Sequence, residues 1–478
     1  MADQQDIPVS GGADIDPNTS RRGLLKAGLI AGAAVGVGGW RPPGDLGTGQ
    51  ELDQHARSHL RKPGSLPYPN LAPGTDTIPK IDHIVVLMME NHSYDNKLGM
   101  LNRPGADGFR IGAHGKPTAT NPYANGDLQH AFRMPTTCQM SGKPSQTWKD
   151  SHFSFATGRN DGFVKSASGP VAMGYWQWAD QPFYYSLARV FPIADRYFCS
   201  LLGQTFPNRR FLISATSLGM VNDSVPDPAA YPKNGTIFDR LDDVGVSWKN
   251  YYSTVPTTAL YPKLYLANAG HKVVKIRHFF SDAANGKLPG FSLVDPDFVA
   301  DSEEDPQNIA AGEHFAARVI DAVMRGPGWP RTLLIWTYDE HGGYYDHVPP
   351  PRAIAPDDIA PDVPKGQSKY DGFTRYGFRV PCAVVSPFAR PNYVSHQVFD
   401  HTSVCALVEA KWNLPAMTYR DANANAMLDM LELSKPAFAK PPELARPLLT
   451  AHPVSTLKCD VTGPGEIPPP GSITKPPA

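Results

Sequence analysis

Three runs along the chain are apolar at nearly every position rather than at alternate ones. They read HIVVLMM (83–89), TLLIWTY (332–338) and VPCAVVSPF (380–388). Alternation would mark a strand with one wet face. Continuity marks a strand covered on both faces, as in a parallel sheet under helices. Weaker strand signals lie at GVSWKNYY (245–252) and around FPIADRYF (191–198). IAAGEHFAARVIDAVMRG (309–326) carries apolar residues at helical spacing. Strands alternating with helices predict an α/β fold, with a mainly parallel central sheet flanked by helices on both faces. Residues from about 101 to 175 show no clear period and predict a loop-rich cap insertion.

Outside these elements the pattern changes. SRRGLLK (20–26) followed by AGLIAGAAVGVGG resembles a twin-arginine export signal over residues 1–40. Its apolar run is shorter than the ~20 residues that cross a bilayer, so the mature form is expected to have no transmembrane span. Residues 41–80 are rich in Pro and Gly and predict a linker or irregular arm. The folded body is expected over 81–451, and 452–478 reads as a Pro-rich tail. The expected location is periplasmic or secreted. Oligomeric state is not legible.

Composition narrows the partners. There are 45 Lys and Arg against 46 Asp and Glu, a balance that argues against nucleic acid. The five cysteines, Cys138, Cys199, Cys382, Cys405 and Cys459, form no CxxC or other close-spaced pattern, so a zinc–thiolate site is not expected. One or two disulfides and buried free thiols both remain open.

Candidate chemistry gathers at strand ends. HIVVLMM runs into Glu90-Asn91-His92, and TLLIWTY into Asp339-Glu340-His341-Gly342-Gly343. In open parallel sheets, ligands bind at the carboxyl ends of strands. Clustered carboxylates repel one another unless a cation neutralises them, and oxygen donors suit a hard divalent metal. Glu90, Asn91, Asp339 and Glu340 are therefore candidate metal ligands. The competing reading of each cluster is a helix N-cap.

In CSLLGQTFPNRRFLISATS (199–217), Gly203 permits a tight turn, Thr205 offers a hydroxyl, and Pro207 suits a first helical turn. A helix start there favours an anion such as a phosphoryl group, with Arg209 and Arg210 adding charge. An N-cap threonine is the plainer alternative. Histidines recur in polar settings at His152, His347 and His401, and an isolated histidine is more often structural than catalytic.

These segments together resemble the bacterial phosphoesterase family that contains phosphocholine-preferring phospholipases C and an acid phosphatase branch, of alkaline-phosphatase-like fold. The matching stretches are HIVVLMMENHSYDNKLG, RNDGF (159–163), DRYFCSLLGQTFPNR, TYDEHGGYYDHVPPP, SPFAR (386–390) and DHTSV (400–404). The resemblance implies a divalent metal at Glu90, Asn91, Asp339 and Glu340, with Thr205 as nucleophile. It implies histidines that bind phosphoryl oxygens or protonate the leaving group, for which His152, His341 and His347 are the candidates. The implied substrate is a phosphoester, foremost a glycerophospholipid. Broad acid phosphatase activity is the alternative, and an exported binding protein with a decayed site is the non-enzymatic one. One position departs from the family: Asp305 precedes Pro306 where its members commonly place a histidine, with His278 and His314 near in sequence. The carboxy-terminal β-domains of some phospholipase relatives are not expected here.

Overall fold

The computed structural model describes residues 59–138, 143–449 and 459. The export signal and nearly all of the tail lie outside the described residues. Eight strands make the central sheet: β1 His83–Met89, β2 Ile193–Ala194, β3 Trp248–Tyr252, β4 Val273–Lys275, β5 Phe291–Asp295, β6 Thr332–Tyr338, β7 Cys382–Val385 and β8 Val394–Ser395. Their order across the sheet is β8-β2-β7-β6-β1-β5-β3-β4. β1 runs parallel to both β6 and β5, while β7 is antiparallel to β6 and to β2. The sheet is therefore mainly parallel with one reversed strand. The expected α/β fold is the observed one.

Burial explains the continuous runs. Every residue of β6, and every residue of β1 after His83, is buried. Successive side chains on a strand point to opposite faces, so such burial requires cover on both. The 309–326 stretch forms the helix Ile309–Arg325 as its periodicity predicts. The weaker signals fare unevenly. Trp248–Tyr252 is a full strand, whereas 191–198 supplies only the two-residue β2.

The insertion has more structure than its pattern predicts. It contains the helix Trp148–Phe155 and two small ladders, Thr120–Pro122 with Leu128–His130 and Phe132–Arg133 with Gly174–Tyr175. Phe132, Met134, Met173 and Trp176 form an apolar cluster together with Ile309 and Tyr344 of the body. The described part of the 41–80 segment is an arm strapped to the body. Asn413 Nδ2 donates to the carbonyls of Tyr68, Leu71 and Ala72, and Lys411 pairs with Asp76. Among the described residues no helix is long and apolar enough to cross a membrane. A disulfide joins Cys138 to Cys459, and Cys199, Cys382 and Cys405 are buried free thiols.

Candidate active site

The register of the two central strands builds the site. His83 pairs with Thr332 and so on to Met89 with Tyr338, so both strands end at the same level. The next residues, Glu90 and Asp339, are thereby brought together, and the Asp339 amide donates to the Met89 carbonyl (3.2 Å). β5 ends beside them and contributes Asp295. Three parallel strands thus deliver carboxylates to one edge of the sheet.

The helix Thr205–Ser214 meets this edge. Its N-cap residue is Gln204, which makes no side-chain cap. The carboxylate of Asp223 supplies one instead, accepting the Phe206 N–H (2.7 Å) and the Gln204 side-chain amide (3.2 Å). Thr205 is the first helical residue, so its hydroxyl is free of capping duty. Asn91 Nδ2 donates to Thr205 Oγ1 (3.1 Å) and also to Glu340 Oε1. The Gly342 N–H in turn donates to Glu340 Oε2 (2.8 Å). Gly342 has φ +64°, and a Cβ there would stand 1.9 Å from the Asn91 carbonyl oxygen. The close approach of the two strand-end loops requires glycine at this position.

One turn into that helix stands Arg209, buried among the acids. Nε donates to Asp339 Oδ2 (3.0 Å) and Nη1 to Asp295 Oδ1 (3.0 Å), while Nη2 lies 3.4 Å from Glu90 Oε1. This corrects the expectation that Arg209 and Arg210 face a bound anion. The carboxylates at the ends of β1, β5 and β6 capture Arg209, because a buried acid cluster draws the nearest cation. Arg210 donates to the carbonyls of Ser217 and Leu260 (3.0 and 2.9 Å).

One guanidinium does not neutralise the cluster. Burial, with Asp339 nearby, pushes the carboxyls of Glu90 and Glu340 well above the usual range. Burial also raises Asp339, against the pull of Arg209. Both carboxylate oxygens of Glu90 and Oδ1 of Asn91 are buried with no hydrogen-bond partner among the described residues. Orphaned acceptors beside like charges fit a hard divalent cation. Glu90, Asn91, Asp339 and Glu340 are the residues that would hold it.

The histidines divide. His341 is buried beside Glu340, with Nδ1 3.2 Å from Oε2 but out of line for a hydrogen bond. Burial drives its pKa down to about 3, so it is neutral. His401 Nε2 donates to the Asp339 carbonyl (2.6 Å), and burial holds it neutral near about 4, so Nδ1 accepts from Tyr197 (3.2 Å). It fixes the backbone of the second cluster. Among the described residues, neither His152 nor His347 hydrogen-bonds to Thr205 or to the acid cluster. His152 Nδ1 donates to the Trp148 carbonyl (2.7 Å), its ring stacks on Tyr370, and burial lowers it to about 4. His347 Nδ1 lies 2.7 Å from Asp95 and Nε2 3.1 Å from Asp107. Asp95, Asp346 and His347 have ligand atoms close enough for a metal. Arg379 fills that position, however, reaching Asp346 at 2.9 Å and Asp95 at 3.1 Å. This is an ion-pair network.

The loop after β5 closes the site's other wall. The Ser302 carbonyl accepts the Glu90 N–H (2.9 Å). Glu303 is buried in a pair with Lys97 (2.6 Å) and accepts from Tyr184 (2.6 Å) and Tyr338 (2.8 Å). Asp305 accepts from Tyr344 (2.8 Å), and burial pushes it up to about 8. Neither nearby histidine substitutes for it: His278 is exposed on the helix Ile276–Ala284, and His314 bonds the Leu449 carbonyl (2.7 Å).

With this geometry in place, the chain matches the profile of the Phosphoesterase family over residues 81–415. The chain belongs to that family. This phosphoesterase is a hydrolase acting on phosphoric esters. It is 31% identical over 431 residues to phospholipase C B of Mycobacterium tuberculosis, covering 78% of this chain and 82% of that protein. It is 32% identical over 378 residues to non-specific phospholipase C1 of Arabidopsis thaliana, covering 72% and 69%. A solved structure from the alkaline phosphatase superfamily of Vibrio parahaemolyticus aligns over 68% of this chain and 77% of its own, at 12% identity and a TM-score of 0.32, too distant to bear on function.

The sequence reading missed Asp295, Asp223 and the destination of Arg209. Asp295 carried a legible signal: FSLVD is a third apolar run ending in a carboxylate.

Proposed function

We propose that this phosphoesterase is an exported enzyme of phospholipase C type, which cleaves glycerophospholipids on the glycerol side of phosphorus with Thr205 as nucleophile. The observation that carries it is the Asn91 amide, which donates to Thr205 Oγ1 (3.1 Å) and also to Glu340 in the acid cluster. That bond ties the only hydroxyl at the helix start to the strand ends. Phospholipases C among its relatives support the choice of substrate.

In this reading Thr205 Oγ forms a bond to phosphorus as the bond from phosphorus to the glycerol oxygen breaks. Asn91 favours the alkoxide by donating to Oγ1. Thr205 gives up its hydroxyl proton as that bond forms, and the departing glycerol oxygen takes one up, so no net proton is consumed; water then cleaves the Thr205 phosphoester, restores the hydroxyl and frees the headgroup phosphate. A divalent cation held by Glu90, Asn91, Asp339 and Glu340 would supply the positive charge that lowers the hydroxyl pKa and stabilises the phosphoryl oxygens. His341, neutral and buried beside Glu340, is the nearest of the expected histidines to this centre. Export is supported by the twin arginine at Arg21-Arg22 and by the Cys138–Cys459 disulfide, a bond that persists in oxidising compartments.

Parallel assays test the reading. Phosphatidylcholine vesicles and a soluble aryl phosphate monoester are offered with the divalent metal varied. Faster release of diacylglycerol than of aryl alcohol is expected. The reverse order makes the enzyme a phosphomonoesterase, and no turnover of either returns the chain to a binding role.

A further inference from the structure

The insertion lies directly against the second strand-end loop. A Cβ on Gly343 would stand 2.7 Å from Pro144 Cβ and 2.7 Å from the Ser145 nitrogen, so this approach requires glycine at 343. Ser145 is held in place: its N–H donates to Ser168 (2.9 Å) and its hydroxyl to Asp150 (2.5 Å). Lys143, just before these two residues, pairs its ammonium with Glu304 across 2.7 Å. Glu304 belongs to the loop whose Ser302 carbonyl accepts the Glu90 N–H (2.9 Å). One ion pair thus links the insertion to the loop after β5, beside the acidic ends of β1 and β6.

The charges that the pair acts on show where it stands. Burial pushes Asp223 up to about 7, the charges of Glu304 and Asp339 add to that, and Lys143 opposes it. Glu304 also adds to the burial and the Asp339 charge that raise Glu90. Lys143 stays cationic because Glu304, with Asp305 and Glu90 behind it, outweighs burial. A charge that reaches solvent is felt over about 10 Å. The pair is therefore near both Glu90 and Asp223, and Thr205 stands between those two: Asn91 bonds its hydroxyl, and Asp223 bonds the next amide. The side chains of Lys143 and Glu304 are 35% and 25% exposed. Arg209, by contrast, is buried, and its nitrogens are taken by Asp339, Asp295, Thr257 and the carbonyls of Met88 and Met89. An exposed ion pair gives up little when one partner is exchanged. An arriving phosphoryl group thus meets a free-moving cation with a carboxylate at its side. The cation attracts it at either charge, and the carboxylate repels a monoester dianion more than a diester monoanion.

We propose that Lys143 exchanges Glu304 for the phosphoryl oxygens of the substrate, and that Glu304 beside it biases the site toward a phosphodiester monoanion and against a phosphomonoester dianion. The proposal rests on the phospholipase C reading and assigns the choice between diester and monoester to two residues.

The test uses the full chain as wild type, Lys143→Met, Lys143→Arg and Glu304→Gln, each at saturating divalent metal. Kinetics are measured on p-nitrophenyl phosphocholine, a diester, and on p-nitrophenyl phosphate, a monoester. The ratio of kcat/KM on the two cancels any difference in the active fraction. Calorimetric titration with inorganic phosphate reads binding without turnover. Lys143→Met should raise KM and weaken phosphate binding about tenfold, with kcat falling less, and Lys143→Arg should recover most of the loss. Glu304→Gln should shift the ratio about fivefold toward the monoester. Lys143→Met leaves Glu304 unpaired and should shift the ratio the other way. Wild-type KM and phosphate affinity in Lys143→Met overturn the phosphoryl role, as does a loss confined to kcat. Ratios that stay fixed, or that move in the same direction in Lys143→Met and Glu304→Gln, overturn the selection. A wild type that favours the monoester removes the phospholipase reading, while ratio shifts of opposite sign in the two variants keep the bias assigned to Glu304.

Discussion

Asn91 donates from Nδ2 to Thr205 Oγ1 across 3.1 Å, and this joins the end of β1 to the start of the helix Thr205–Ser214. The bond orients the hydroxyl by occupying one lone pair of its oxygen and leaves the second lone pair and the O–H proton free of it. Thr205→Val keeps the shape and removes the oxygen. Turnover should fall by about a thousandfold or more, while loss of one buried hydrogen bond costs only about 1–2 kcal/mol. Thr205→Ser should retain much of the rate. Steady-state kinetics and thermal melting separate the two effects, and wild-type turnover in Thr205→Val removes the residue from the nucleophile role.

Arg209 is the resident counter-charge of the acid cluster. Substitution by Met preserves the bulk and leaves Asp339, Asp295 and Glu90 facing one another in a buried site. Removing one partner of a buried ion network costs roughly 3–5 kcal/mol. The carboxylates that suffer are neutralised by acid, so the deficit should shrink as pH falls. Urea unfolding of Arg209→Met at neutral and mildly acidic pH measures both the loss and its sign.

His347 should make stability depend on pH in the alkaline range. Burial acts to lower its pKa, but the Asp95 carboxylate at 2.7 Å overcomes it and the net value is about 9. A histidine whose folded pKa is raised contributes stability that is complete below the unfolded value of about 6.5 and is lost as pH climbs through the folded one. The shift corresponds to roughly 3 kcal/mol at most, reduced by the ring's partial exposure. Melting temperatures of wild type should therefore decline between about pH 7 and 10. In His347→Gln that slope should flatten, with lower stability at neutral pH.

How much of this was readable before folding follows from what each feature depends on. β1 and β6 were legible because cover on both faces forces unbroken apolar runs, and their acidic ends were legible with them. The reversal of β7 was not, since a strand's direction is set by its connection. No regular helix or strand lies between Tyr338 and Cys382, so the chain returns beside β6 without a crossover helix. Thr205 was found as the start of a helix, but its release from capping depends on Asp223, 18 residues later. Arg209 was visible as charge, and its turn inward depends on three strands that meet only in the fold. His152 and His347 show the limit of residue type as a guide. Their partners Trp148, Tyr370, Asp95 and Asp107 decide what they do, and the motif text contains none of that geometry.

The acid cluster should respond to a divalent metal in stability as well as in rate. Glu90 presents two buried oxygens and Asn91 one, none with a hydrogen-bond partner among the described residues, next to Asp339 and Glu340. A cation that binds only the folded chain stabilises it by RT ln(1 + [L]/Kd), about 2.7 kcal/mol at a hundredfold excess over Kd. Chelation should lower the melting temperature, and divalent ions added back should restore it. Glu90→Gln removes one ligand charge and, with it, one member of the mutual repulsion. The variant should therefore melt at or above the chelated wild type yet gain little from added metal. A wild type whose melting ignores both chelator and metal would assign the neutralising role to Arg209 alone, because its guanidinium is then the only cation those strand ends need.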